Sequence, residues 1–147
     1  MNSWDRRTIT ETVKSVADRY GSHDPQQCQK LQLDCSIAPS REVFFGLFSF
    51  FFDPSLQENK FERQQLAGKI LFSVAPPSPL ALDGSVFAAA TIWDPGIEEL
   101  PWYWCSNFGK QVVIEFLSDL VDDCEDPNLK SNVETMLLLA HGYGNGT

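Results

Sequence analysis

Apolar residues recur at intervals of three and four along most of this chain, the spacing that places them on one face of an α-helix. The segment from Lys110 to Asp126, KQVVIEFLSDLVDDCED, shows the pattern most clearly. Its predicted inner face consists of Val113, Phe116, Leu117, Leu120 and Val121. No segment alternates apolar and polar residues over six positions, as a half-buried strand does. The pattern therefore predicts an all-α protein.

Residues that favour helix ends divide the first half of the chain. They predict one helix before Gly21, a second through QQCQKLQL, and a third, rich in phenylalanine, near Arg41–Phe52. The third holds six of the eleven phenylalanines and is apolar nearly all round, so we expect it at the centre. The predicted boundary residues are a capping box at Thr8 and Glu11, a stop at Gly21, an N-cap at Asp24 followed by Pro25, and an N-cap at Ser40.

The second half of the chain contains further predicted helices. Leu66, Ile70 and Val74 lie on one stripe, and the segment after it, PPSPLALDGS, is typical of a loop. The alanines of Ser85–Trp93 favour a buried helix. A helix ending near Phe108 and a last helix, which starts at Asp126-Pro127 and is stopped by Gly142, complete the prediction.

Seven or eight short helices joined by Pro- and Gly-marked turns predict an all-α single domain over residues 1–147. Two arrangements remain open at this point. The helices form either a compact antiparallel bundle or a small solenoid similar to HEAT repeats. The chain shows no clean internal period.

The charged residues are distributed unevenly along the chain. The formal net charge is −9. Residues 1–93 hold ten acids and nine bases, whereas residues 94–147 hold ten acids and two bases, Lys110 and Lys130. Almost all of the excess negative charge therefore lies in the last third. A protein this acidic repels nucleic acid and anionic membranes and attracts basic partners.

The placement of these acids opposes helix stability. Glu115, Asp119 and Asp122 are spaced i, i+4, i+7 on one predicted helix face, and like charges at i, i+4 cost roughly 0.2–0.5 kcal/mol per pair. Asp122 and Asp123 also lie near the helix C-terminus, where the macrodipole disfavours anions. Two interpretations remain: a solvated face that aids solubility, or a docking face for a basic partner.

Three aromatic residues stand side by side in IEELPWYWCSNFG, the segment from Ile97 to Gly109. Adjacent helical residues point about 100° apart, so Trp102, Tyr103 and Trp104 cannot all face one core. We expect at least one of them at the surface, where Trp and Tyr serve as interface anchors.

The sequence contains few signs of catalysis. Phosphate-binding, dinucleotide-binding, zinc-protease and nucleophile-elbow motifs are missing. The four cysteines match no zinc spacing, and His23 and His141 lie in a polar turn and at a helix end. We therefore expect no catalytic residue, no cofactor and no metal. An enzyme would need one of these histidines beside a cysteine or carboxylate.

The segment WDPGIEELPWYWCSNFG and the amphipathic helix after it resemble small, acidic, all-helical immunity proteins of bacterial toxin–immunity systems, including contact-dependent growth inhibition. The resemblance covers Trp93–Leu120, and Pro95-Gly96 departs from the small polar capping residue expected there. It implies a cytoplasmic protein that binds and blocks the toxin domain of its own system. The polar start MNSWDRRTITETVKS, which lacks the apolar region of a secretory signal, favours the same location.

We therefore predict a non-enzymatic inhibitor that binds a basic toxin domain as a monomer in a 1:1 complex. The expected toxin domain is a nuclease. No nucleic acid or membrane partner is expected. The alternatives are a phage-type nucleic-acid mimic that inhibits a host defence protein, and a helical-repeat adaptor that binds a peptide. The predicted partner-binding residues are Asp94, Glu98, Glu99, Trp102, Trp104, Glu115, Asp119, Asp122, Asp123 and Asp126.

Overall fold

The computed structural model describes residues 4–144, and this part of the chain is helical without strands, which confirms the all-α prediction. The ends of the predicted 1–147 domain lie outside the described residues. The α-helices are α1 (Arg6–Tyr20), α2 (Pro25–Ile37), α3 (Ser40–Phe48), α4 (Lys60–Val74), α5 (Leu82–Ala89), α6 (Glu99–Phe108), α7 (Lys110–Asp123) and α8 (Pro127–Gly142). Two short 3₁₀ segments, Ser49–Phe51 and Pro54–Leu56, connect α3 to α4.

The N-cap of helix α1 lies three residues before the predicted capping box. The Asp5 carboxylate accepts a hydrogen bond from the Thr8 backbone N–H at 2.8 Å, so Asp5 is the N-cap and the Thr8–Glu11 prediction is wrong. An aspartate cap satisfies an unpaired amide and also complements the helix dipole. The predicted stop at Gly21 is confirmed, with φ of 77°.

The phenylalanine-rich helix is shorter than predicted. Ser40 is its first helical residue rather than its cap, and α-helical geometry ends at Phe48. Two hydroxyls compete there for one backbone carbonyl: Thr10 Oγ1 and Ser49 Oγ donate to Gly46 O at 2.9 and 3.0 Å. Such side-chain competition weakens the α-helical ladder, and the chain continues as a 3₁₀ turn.

Helix α5 occupies part of the segment predicted as a loop. It begins at Leu82, within the predicted loop PPSPLALDGS, and it ends at Ala89 rather than Trp93. Leu82 and Ser85 are buried, so packing overrides the local turn preference. The chain then leaves the helix, and the Trp93 indole N–H donates to Ile97 O at 2.9 Å across the next turn.

Helix α4 lies at the centre of the fold, in contact with α1, α2, α3 and α6. Helices α6, α7 and α8 pack against one another as a second group. Because α1 packs mainly on α3 and four helices surround α4, the arrangement is a bundle, not a stack of consecutive pairs.

The phenylalanine-rich segment forms the aromatic centre of the core, as predicted. Phe44, Phe48 and Phe51 have no exposed surface, and the rings of Phe44 and Phe48 stack at 5.0 Å. Phe44 also lies 6.1 Å from the ring of Tyr103 on α6, so the segment links the two groups of helices. Within residues 4–144, no helix is both long and apolar enough to cross a membrane.

We predict that Phe48→Ala lowers the free energy of unfolding by about 3–5 kcal/mol, because it removes a fully buried ring from the aromatic centre. Urea denaturation followed by circular dichroism measures the change. Ile37→Ala is the control: Ile37 is 86% exposed, and its loss should change stability by less than about 0.5 kcal/mol. Equal effects in both variants would contradict the assignment of Phe48 to the core.

Two helical glycines give a second test with opposite expected signs. A methyl group on Gly46 would lie 2.7 Å from the Cβ and Cγ2 atoms of buried Ile9, whereas one on Gly84 would meet nothing within 4 Å. Gly46→Ala should therefore destabilise the fold by about 1–3 kcal/mol through overpacking between α1 and α3. Gly84→Ala should stabilise it by up to about 1 kcal/mol, because Ala is the better helix former. Thermal melts measure the change in melting temperature of the two variants. A change of the same sign in both would contradict this packing.

Candidate protein-binding surface

The acidic face of α7 is exposed, and its charges lack basic partners among the described residues. We use the name acidic face for Glu115, Asp119, Asp122 and Asp123, all of which are exposed. Within residues 4–144 the recorded ion pairs are Arg6–Glu42 and Arg63–Asp18, and neither reaches α7. Glu115 accepts a hydrogen bond from the amide of Gln111 at 3.0 Å, one turn earlier. The face therefore carries its repulsion without compensation from a cation in this part of the chain.

The negative charges oppose helix stability most strongly at the C-terminal end of α7. Asp122 and Asp123 occupy the last turn, and that turn contains no basic residue. Anions at this end of a helix lose about 0.3–1 kcal/mol each against the macrodipole when exposed. The helix persists because Val113 and Leu117 are fully buried on the opposite side.

Asp126 has a structural role, unlike the residues of the acidic face. Its carboxylate accepts from the backbone N–H groups of Asn128 at 2.9 Å and Leu129 at 3.3 Å, which makes it the N-cap of α8. A cap of this kind contributes about 0.5–2 kcal/mol. This contact gives Asp126 a function in folding whether or not it also contacts a partner.

The other predicted acids lie at the entrance to α6, and Glu99 among them contacts α4. Asp94 forms a turn, with its carboxylate accepting from the Gly96 N–H at 2.8 Å. Glu99 accepts from the buried Gln65 amide on α4 at 2.9 Å, whereas Glu98 is exposed at the start of the helix. Asp94 and Glu99 thus help to hold the loop, and the acidic face on α7 stands as a separate feature.

The aromatic triplet is mostly core. Trp104 and Tyr103 have no exposed surface, and the Trp104 indole donates to Ser85 Oγ at 2.7 Å. Trp104 is therefore not available as an anchor on the surface, which corrects that prediction. The Tyr103 hydroxyl donates to Pro76 O, and burial raises the pKa of this phenol well above its ordinary value.

Trp102 is half-buried between helices, so only part of its surface is available to a partner. Its indole N–H donates to Leu139 O on α8 at 3.2 Å, and its ring lies 5.9 Å from that of Phe72. These contacts join α4, α6 and α8. Replacement of Trp102 would consequently change folding as well as any binding.

Phe87 is an exposed aromatic residue that the sequence interpretation missed. Phe87 on α5 was placed in a buried helix, but it is 56% exposed and contacts Phe116 of α7 edge to face at 6.1 Å. The sequence contains a signal for this exposure: Val86, Ala89, Ala90 and Trp93 form the stripe i, i+3, i+4, i+7, and Phe87 lies outside it.

The one histidine–cysteine neighbourhood that the described contacts reveal does not activate a thiol. Lys69 Nζ lies 2.7 Å from His23 Nδ1 and donates to Ser22 O at 2.8 Å. Cys28 Sγ is 3.5 Å from the same carbonyl, and burial raises the pKa of its thiol, only partly offset by Lys69. A raised pKa keeps the thiol protonated and weakly nucleophilic at neutral pH.

No group of three or more His, Cys, Asp or Glu side chains within residues 4–144 is placed to hold a metal ion. Comparison with protein-family models, curated proteins and solved structures finds no match to the chain. The surface of the molecule itself is therefore the basis for a functional proposal.

We predict that reversing Asp119 and Asp122 to Lys leaves the melting temperature equal or higher. A lysine at position 119 would lie one turn after Glu115, where opposite charges attract. A lysine at position 122 would interact favourably with the helix dipole at the C-terminus. Asp126→Ala should instead destabilise the protein by about 0.5–2 kcal/mol, because it removes the cap of α8. Thermal melts at low salt compare the two. A lower melting temperature in the double Lys variant would mean that the acidic face stabilises the fold.

Proposed function

We propose that this protein is an inhibitor that binds the toxin domain of a bacterial toxin–immunity pair and neutralises it. The observation that carries the proposal is the acidic face of α7: exposed carboxylates without an ion pair among the described residues, placed where helix energetics oppose them. Selection for stability alone favours lysines in the last turn of α7, where Asp122 and Asp123 lie. A basic partner would relieve the repulsion between these carboxylates on binding, so the arrangement favours binding to such a partner.

The proposed toxin domain is a nuclease. Nuclease active sites are rich in Lys and Arg because they hold phosphates, and a helix with carboxylates one turn apart presents a comparable row of negative charge. Such complementarity accelerates association and discriminates against other partners. The proposed complex is 1:1, formed in the cytoplasm, and contains neither nucleic acid nor membrane.

The same acidic face supports a second candidate, a nucleic-acid mimic that inhibits a host defence protein. The two candidates share the binding chemistry and differ in the target. An adaptor for an apolar peptide predicts binding that is insensitive to salt, whereas both acidic inhibitors predict binding that weakens as salt screens the charges.

The test is co-expression of this chain with a toxin domain encoded beside its gene, followed by purification and assay of nuclease activity. We expect a 1:1 complex and loss of the nuclease activity. A toxin domain that remains active and does not co-purify would contradict the proposal. A complex formed instead with a nucleic-acid-binding defence protein would favour the mimic.

We predict that the double variant Asp119→Lys with Asp122→Lys binds the toxin domain at least about tenfold more weakly, chiefly through a slower on-rate at low salt, because close interfacial charge pairs carry coupling energies of roughly 1.5–7 kcal/mol. The matched control is Glu11→Lys with Glu58→Lys, two exposed acids in the first half of the chain that produce the same change in net charge. Calorimetric titration measures the affinities of both variants, and surface plasmon resonance measures their on-rates. Equal losses in the two variants would show that net charge alone, not the acidic face, governs binding.

A further inference from the structure

An apolar patch lies beside the acidic face, where α5 meets α7. We use the name α5–α7 patch for Phe87, Phe116 and Val112. Phe87 is 56% and Val112 is 53% exposed, and the partly buried Phe116 contacts Phe87 edge to face. Val112 and Phe116 are one turn apart on α7 and therefore adjacent. Exposed apolar groups gathered in this way are typical of an interaction site.

The rim of the patch is acidic. Asp83 lies one turn before Phe87 on α5, and Asp119 lies three residues after Phe116 on α7; both are exposed. Helix α5 contains no Lys or Arg, and the one basic residue of α7, Lys110, donates to Tyr143 O at the end of α8. The surroundings of the patch thus carry negative charge from two helices.

Open space above α5 completes the geometry. Gly84 lies three residues before Phe87, and a Cβ atom at this position would meet no atom within 4 Å apart from its chain neighbours and the backbone of its own helix. The helix surface next to Phe87 is therefore bare backbone, which lets a partner side chain approach closely.

We infer that the α5–α7 patch is the apolar centre of the partner interface and that Phe87 is its anchor. The occupant is a basic protein surface with an apolar side chain seated between Phe87 and Val112 and with Lys or Arg opposite Asp83 and Asp119. This inference rests on the proposed function for the identity of the partner. An apolar anchor within a charged rim is the arrangement in which single aromatic residues dominate binding energy.

The first experiment titrates the toxin domain against single variants by surface plasmon resonance. Phe87→Ala should weaken binding by about 30-fold or more through a faster off-rate, with little dependence on salt. Gly84→Gln should also weaken binding, because its side chain occupies the open space, although Gln is a better helix former than Gly. Leu33→Ala on α2 is the control, since Leu33 is 63% exposed and remote in the fold; it should bind like the wild type.

Thermal melts of the same variants separate binding from folding. Phe87→Ala and Gly84→Gln should melt within a few degrees of the wild type, because both sites are open to solvent. If the wild type binds the toxin domain and both variants bind it as tightly as the wild type does, the patch is not the interface, while the proposed function stands.

A second experiment decides the inference if the toxin domain does not bind and the proposed function fails. The probe is a helical peptide of Leu, Lys and Ala about four turns long, with a copy carrying Glu in place of Lys. In amide NMR spectra the Lys peptide should shift Gly84, Phe87, Val112 and Asp119, and the Glu peptide should not. Shifts confined to other helices would overturn the inference. Concentration-dependent dimerisation abolished by Phe87→Ala would also overturn it, because the occupant would then be a second copy.

Discussion

Burial of the phenylalanine-rich segment is the constraint on which the rest of this fold depends. Phe44, Phe48 and Phe51 need helices on several sides to exclude water, and α1, α4 and α6 supply them. The close approach of α1 to α3 at Gly46 and the contact of Phe44 with Tyr103 follow from this packing. The same core holds α4 and α6. Because α7 and α8 pack on α6, the core also determines indirectly where these two helices lie.

The two halves of the chain use charge in different ways. In the first half, Arg63 is buried and paired with Asp18, and its guanidinium lowers the pKa of that carboxyl. Arg6 makes a similar forked contact with Glu42 and holds the pKa of Glu42 at about 2. In the second half, the acids of α7 point to solvent without such partners among the described residues. Neutralised charge therefore accompanies the packing of α1, α3 and α4, and uncompensated charge accompanies the proposed docking surface.

The aromatic residues divide along the same line. Buried rings with a polar atom find partners inside the fold, as Trp93, Tyr103 and Trp104 do through Ile97, Pro76 and Ser85. Phe87 has no polar atom to satisfy and lies outside the buried stripe of its helix. It is consequently a ring that the fold leaves available, next to carboxylates that have no basic partner in the described part of the chain.

The sequence by itself determined the helical class, most helix positions, the burial of the phenylalanine-rich segment and the location of the excess negative charge. These properties depend on local periodicity and composition, which a single chain displays directly. Tertiary structure decided which N-cap begins α1, where α5 starts, and which aromatic residues reach the surface. Trp104 is buried although it was predicted as a surface anchor, and Phe87 is exposed although its segment was predicted as a buried helix, because burial depends on which helix packs against which face. That choice is made by contacts between residues distant in sequence, such as Trp104 with Ser85 and Phe87 with Phe116.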